Sequence, residues 1–293
     1  MQEWSETSAY SLTPSSMLSN QRSLDTEWKD SFTVLLLSSL IDMKVTMLGT
    51  GTTYPDPDRV QSGILIELDD ESVLFDIGAG VYHRLTQAGL NLKSISSIFI
   101  THFHIDHCSD FLMLCQNLWL DNHDKPMNIY GPQAIEQWYR GLFDIAFPYA
   151  QDRLLINVRA LKETEAVHVG EAIISNTPTI HGTMETRALR IDWRGRVLVY
   201  SSDTAPCRDV IDLAKSADVL IHECNWLDGP NPEGVHTTPS QLAEIVEEIA
   251  PKKLVLTHVS PDVVSNKKKV LDIIRRRTDA EVVMGEDLMS FEI

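Results

Sequence analysis

The chain contains no CxxC pair, and its four cysteines, Cys108, Cys115, Cys207 and Cys224, are scattered over 293 residues. That spacing excludes a thioredoxin-type redox motif and a zinc knuckle, and it fits a reducing compartment. Long apolar runs are missing as well. The best candidate, residues 31–41 (SFTVLLLSSLI), falls short of the roughly 20 residues that cross a bilayer. It also lies behind an acidic stretch, too far inside the chain for an ordinary signal peptide. Basic residues are scarce, with 25 Lys and Arg against 42 Asp and Glu and a formal net charge of −17. A surface so acidic repels phosphate, which argues against indiscriminate nucleic-acid binding. The expectation is a cytoplasmic protein with no membrane partner.

Glycine is absent from the first 42 residues, which carry ten serines. They are expected to form a poorly ordered or non-native extension, with translation beginning at Met43. From there the pattern becomes regular. Short β-runs come first: Lys44–Leu48, then a hairpin of Gly63–Leu68 and Ser72–Asp76. Helical stretches then alternate with strands. The helices read as Val81–Ala88, a segment after His107, Pro132–Leu142, Arg208–Lys215, Ser240–Ile249 and Lys267–Arg277. Strands read as Ser97–Thr101, Met127–Tyr130, Leu154–Val158, Ala172–Thr179, Thr186–Asp192, Val197–Ser201, Val219–His222 and Lys253–Thr257, with closing strands near Val282 and at Met289–Phe291. β-runs before and after helices, twice over, predict an α/β (α+β) fold: two packed sheets with helices outside, a four-layer αββα sandwich. Thr238-Pro-Ser-Gln241 is a capping box with proline at the first helical position.

The densest chemistry is Thr101-His-Phe-His-Ile-Asp-His107, directly after an apolar strand. Neutral imidazoles bind zinc at about 2.0–2.1 Å, and a carboxylate adds a hard oxygen. His102, His104, Asp106 and His107 together exceed what one tetrahedral ion needs, so two ions sharing them would use every group. A surface histidine cluster is the bland alternative, but it rarely also acquires the strand context. His181, Asp203 and His258 each follow an apolar β-run, at strand ends where such architectures collect functional groups. Taken singly, each reads as a cap or turn residue. In series with HxHxDH they read as further ligands.

These motifs resemble the metallo-β-lactamase superfamily over Met43 to the C-terminus. Asp76 in Phe75-Asp-Ile-Gly78 resembles the family's first motif, HxHxDH the second, and His181, Asp203 and His258 the third, fourth and fifth. The resemblance implies one hydrolase domain over 43–293 and two Zn2+ per chain. His102, His104 and His181 would hold one ion and Asp106, His107 and His258 the other, with Asp203 bridging. Asp76 would orient ligands rather than bind. Leu48-Gly-Thr-Gly51, Leu220-Ile-His-Glu-Cys224, His236-Thr-Thr238 and Leu254-Val-Leu-Thr-His-Val-Ser-Pro261 resemble the ribonuclease Z-like branch. Thr237 departs from the serine usual in that branch. By this resemblance His236 protonates the leaving group, steered by Glu223, while Asp106 takes a proton from the attacking water.

One departure matters for substrate. Bacterial ribonuclease Z proteins insert a long tRNA-clamping arm between the third and fourth motifs, and here only a hairpin, Gly182–Ser202, lies there. The resemblance therefore implies an arm-less phosphodiesterase acting on an anionic ester, either a small molecule or RNA. The alternatives are a tRNA 3′-processing endoribonuclease and an arylsulfatase-like ester hydrolase. Dimers are common in such families, so a homodimer is the expected assembly. Arg187, Arg190, Arg194 and Arg196 on the hairpin are either anion contacts or solvated strand-edge charges. His83, His123, His168 and His222 read as structural or surface residues, and Lys267-Lys-Lys269 and Arg275-Arg-Arg277 as a wet helix face.

Overall fold

A computed structural model describes residues 43–293 except Asp70 and Thr164. The expected N-terminal extension, 1–42, lies outside the described residues. Two seven-stranded sheets carry the fold. The first comprises β1 (Lys44–Gly49), β2 (Gly63–Leu68), β3 (Glu71–Phe75), β4 (Ile95–Phe99), β5 (Met127–Gly131), β6 (Ile156–Ala160) and β14 (Met289–Glu292), in the order β14-β1-β2-β3-β4-β5-β6. The second comprises β7 (Val167–Val169), β8 (Ala172–Pro178), β9 (Arg187–Trp193), β10 (Arg196–Tyr200), β11 (Val219–Glu223), β12 (Lys253–Thr257) and β13 (Glu281–Met284), in the order β13-β12-β11-β10-β9-β8-β7.

Side-chain alternation explains why the sheets stack. Val73 and Phe75 of β3 point into a core shared with Leu189, Ile191, Leu198, Tyr200 and Val255 of the other sheet. Leu74, one residue between, faces outward into a second core. There it meets helices α1 (Val81–Gln87), α2 (Ile105–Cys108), α3 (Phe111–Leu120) and α4 (Ile135–Arg140). On the opposite side, Val199, Leu220, Leu254 and Leu256 pack against α6 (Pro239–Ile249) and α8 (Lys267–Arg275), and α5 (Arg208–Leu213) and α7 (Pro261–Ser265) complete that layer. Strands apolar on both faces belong to buried sheets with helices outside. The four-layer αββα sandwich follows.

Parallel pairing sets where strands end. β3–β4–β5–β6 run parallel, as do β10–β11–β12–β13. Two antiparallel steps, β8–β9 and β9–β10, make β8 point the same way as β10. The C-terminal ends of β3 and β4 therefore share one edge of the first sheet, and those of β8, β10, β11 and β12 share one edge of the second.

Several elements differ from the sequence reading. The helix expected over Pro132–Leu142 forms α-helix only over Ile135–Arg140 and widens to π-helix over Gly141–Ala146. That turn buries Phe143 near Phe111, and Pro148, lacking an N–H, stops it. The strand placed at Leu154–Val158 is shifted to Ile156–Ala160 by its pairing with β5. β7, at three residues, and α7 have no counterpart in the expected elements. The capping box forms as expected, with the Thr238 backbone N–H donating to Gln241 Oε1 at 3.0 Å.

Gly78 is required by close approach. A Cβ there would lie 2.0 Å from the backbone oxygen of Asp106. Both segments are anchored, since Ile77 N–H donates to His107 O and Ser62 N–H to Asp106 O. Gly78→Ala is expected to destabilise the protein by about 1–3 kcal/mol through overpacking, measured by urea unfolding. An unchanged midpoint would contradict this packing.

Candidate metal centre

Most of the chemically loaded side chains sit just past a strand, and Asp106 and His107 lie on the short helix α2 that follows. Asp76 follows β3, His102 and His104 follow β4, His181 follows β8, Asp203 follows β10 and His258 follows β12. The backbone turns sharply there: Asp76, Ser202 and His258 have φ of 60°, 53° and 48°. Non-glycine residues rarely occupy this left-handed region, and such strain concentrates at functional sites.

The structure brings all seven expected ligands together in two sets. In the first, His104 Nδ1 lies 3.0 Å from His102 Nε2 and 3.1 Å from His181 Nε2. Asp203 Oδ2 closes it, 3.8 Å from His102 Nε2 and 3.6 Å from His181 Nε2. In the second, Asp106 Oδ2 lies 4.0 Å from His107 Nε2 and 3.3 Å from His258 Nε2. Asp203 Oδ1 lies 3.4 Å from both His107 Nε2 and His258 Nδ1. One carboxylate thus divides its oxygens between two donor sets.

The donor chemistry fits cations. Three imidazole nitrogens converge in the first set, and one proton on His104 Nδ1 can satisfy only one of its two neighbours. Asp203 Oδ1 is buried without a hydrogen-bond partner. A buried carboxylate oxygen with only imidazole nitrogens at 3.4 Å and no hydrogen bond is costly unless further positive charge meets it. Imidazole and carboxylate oxygen together suit zinc.

A second layer aims these ligands. Asp76 Oδ2 accepts from Thr101 Oγ1 at 2.9 Å, His107 Nδ1 at 2.7 Å and Tyr200 Oη at 3.0 Å, while Oδ1 accepts from Thr101 N–H at 2.8 Å. His181 Nδ1 donates to Val235 O at 2.9 Å. Such contacts fix ring orientation and tautomer. Burial, then the negative charges of Asp76 and Asp203, push the Tyr200 phenol well above its ordinary range, so it stays a donor.

Electrostatics are tightly coupled. Burial works to lower His107, but Asp203 and Asp76 outweigh it and hold the imidazole well above its ordinary range. Burial, then neighbouring His107, hold His102 well below its own. Burial raises Asp203 and Asp106, yet the surrounding histidines hold both carboxyls below the usual range. Both are therefore carboxylates at neutral pH.

His236 and Glu223 lie beside the second set. Glu223 Oε1 accepts from His236 Nδ1 at 2.7 Å and from Thr204 N–H at 2.7 Å. Its Oε2 accepts from Asn225 and Thr237 N–H, both at 3.2 Å. Burial acts against a charged His236, but the Glu223 carboxylate outweighs it and raises the imidazole above its ordinary value.

The structure separates the two readings of the hairpin arginines. Arg187 pairs with Glu163 and Glu185, Arg190 with Asp192, and Arg194 with Asp69 and Glu171. These three are committed to ion pairs rather than to a substrate anion, with Arg194, like Arg196, still exposed to solvent at the hairpin tip. His83 and His168 are exposed, while His123 and His222 are buried. Thr101, Tyr200 and Asn225 were missed in the sequence, because nothing in their local spacing signals a tertiary contact.

A family model described as Anti-Pycsar protein Apyc1 matches residues 43–278. The chain belongs to this Apyc1 family. It is similar to ribonuclease Z of Archaeoglobus fulgidus, at 28% identity over 302 residues covering 85% of this chain and 97% of that protein. Among solved structures it is similar to the metallo-β-lactamase fold protein YhfI from Bacillus subtilis, with a TM-score of 0.76, 24% identity and coverage of 86% and 100%. Human tRNase Z, short form, aligns with a TM-score of 0.70, 25% identity and coverage of 86% and 99%. This Apyc1-family chain is thus a ribonuclease Z-like, metal-dependent hydrolase of the metallo-β-lactamase fold.

Asp76 carries the orientation of His107 without itself joining either donor set. Asp76→Asn is expected to leave the protein folded and weaken metal binding by about 10–100-fold, measured by chelator competition. Unchanged affinity would contradict an orienting role.

Proposed function

We propose that this protein is a dinuclear zinc phosphodiesterase acting on a small or unstructured phosphodiester. The observation that carries the reading is Asp203, whose two oxygens face two donor sets beside an imidazole backed by a buried glutamate. His102, His104 and His181 would hold one Zn2+ and Asp106, His107 and His258 the other, with Asp203 bridging. When bound, such ions polarise a phosphoryl oxygen and acidify water toward neutral pH. Asp106 takes the proton released by the attacking water. His236 delivers a proton from Nε2 to the departing oxygen. Glu223 keeps Nδ1–H engaged at 2.7 Å, and three backbone N–H groups keep Glu223 still.

The substrate reading rests on two features. The segment between His181 and Asp203 is taken up by β9 and β10, joined at Arg194 and Gly195 with φ of 47° and 78°, a tight two-residue hairpin. It leaves no arm to grip a folded RNA. The net charge of −17 also disfavours a long polyanion.

The four cysteines are free and buried, which supports a reducing compartment and a cytoplasmic location. Among the described residues no helix is long and apolar enough to cross a membrane. Met113, Phe147 and Tyr149 are partly exposed around one apolar cavity, a feature that supports a homodimer through this face.

The test compares bis-p-nitrophenyl phosphate, an alkyl phosphodiester, p-nitrophenyl sulfate and precursor tRNA. Turnover of phosphodiesters without tRNA cleavage is expected. His236→Ala is expected to lower kcat by about 10²–10⁴ for the alkyl ester, whose leaving group needs a proton. The effect is smaller for the nitrophenyl ester, which leaves as a stable anion. Equal losses on both esters would contradict the acid role. Preferred tRNA or sulfate-ester hydrolysis would overturn the substrate reading.

A further inference from the structure

His236 is held by one short segment that closes β11 and runs just beyond it. Glu223 takes its Nδ1, and Trp226 meets the ring edge-on, with centroids 4.9 Å apart at 84°. Between them, Asn225 Nδ2 lies 3.2 Å from His236 Nε2 and 3.3 Å from His258 Nδ1. This single carboxamide is placed against both the imidazole beside Glu223 and a histidine of the second donor set.

Asn225 has little freedom to move away. Its residue is 6% exposed. Its backbone N–H donates to Glu223 Oε2 at 3.2 Å, and its carbonyl accepts from Ser260 Oγ, two residues beyond His258. The main chain is thus pinned to the glutamate on one side and to the His258 loop on the other. Its Oδ1 is buried without a hydrogen-bond partner. Buried polar atoms left this way call for an explanation. A carboxamide can present either an oxygen or an N–H to a ring nitrogen by turning over, and the two faces have nearly the same shape. Asn225 can therefore donate to or accept from His258 Nδ1, while His258 Nε2 faces Asp106, and hold His236 in register with it.

We infer that Asn225 is a positioning residue that couples His236 to the second cation site by bracing His258. The inference rests on the dinuclear reading proposed above. It gives Asn225 no contact with the substrate: the carboxamide meets His236 at Nε2, the nitrogen from which the proton leaves, and orients that ring without itself giving or taking the proton. Its effect is to orient the His258 ring and to fix the spacing between that ring and His236.

Zinc affinity, measured by chelator competition on the full chain, is the primary readout. Asn225→Leu keeps the shape and removes both hydrogen bonds, and Asn225→Ala serves where leucine prevents folding. Either is expected to weaken one of two zinc equivalents by about 10–100-fold, the usual scale for ligand-orienting contacts, leaving the other within about twofold. Asn225→Asp, which retains an acceptor, is expected to restore most of the loss. On the alkyl phosphodiester, kcat falls while KM stays within about twofold. Two outcomes overturn the inference with the dinuclear reading intact: both affinities unchanged, or both weakened equally together with a lower unfolding midpoint of the metal-free protein. Wild-type protein that binds fewer than two zinc ions overturns the dinuclear reading itself.

Discussion

A carboxylate that is 2% exposed, with four imidazoles within 3.8 Å, constrains everything around it. Burying an ionised group is tolerated only where charge and hydrogen bonds compensate it. For Asp203 that compensation comes from histidines delivered by β4, β8 and β12 and by α2. The strand pairings bring the ends of β8 and β12 to one edge of the second sheet, and β4 ends at the facing edge of the first. The sharp backbone turns at Asp76, Ser202 and His258 are the local consequence, since each swings its chain across the strand ends.

The supporting layer shows the same logic one step outward. Asp76 spans both sheets: it is bound by Thr101 and His107 from the first and by Tyr200 from the second. Tyr200 in turn stacks on Phe75 inside the sandwich, with ring centroids 6.3 Å apart. The metal centre is thereby tied to the hydrophobic core through a phenol whose ring is packed and whose hydroxyl is spent on the site. Glu223 plays the equivalent part on the far side, tying β11 to the His236 loop.

Much of this was legible because each level of the sequence carries a distinct signal. HxHxDH after an apolar strand announces a cluster on its own, and His181, Asp203 and His258 stand out by following β-runs. Alternation such as Val73-Leu74-Phe75 announces a strand buried on both faces. What was illegible is tertiary. Nothing near Tyr200 tells that its hydroxyl reaches Asp76, a contact 124 residues away. Asn225 looks like a loop residue until β12 brings His258 beside it. The longer-range ion pairs of the hairpin arginines were equally illegible, because Asp69, Glu163 and Glu171 come from other segments. The π-helical turn at Gly141–Ala146 answers to the packing of Phe143 rather than to any local propensity.

Asp203 is proposed to lie between two cations. Anomalous diffraction from crystals of zinc-loaded protein, recorded on either side of the zinc absorption edge, tests it directly. The account predicts two zinc peaks per chain, one on each side of the Asp203 carboxylate, among His102, His104 and His181 and among Asp106, His107 and His258. A single peak at full zinc loading, or two peaks that do not share Asp203, would contradict it.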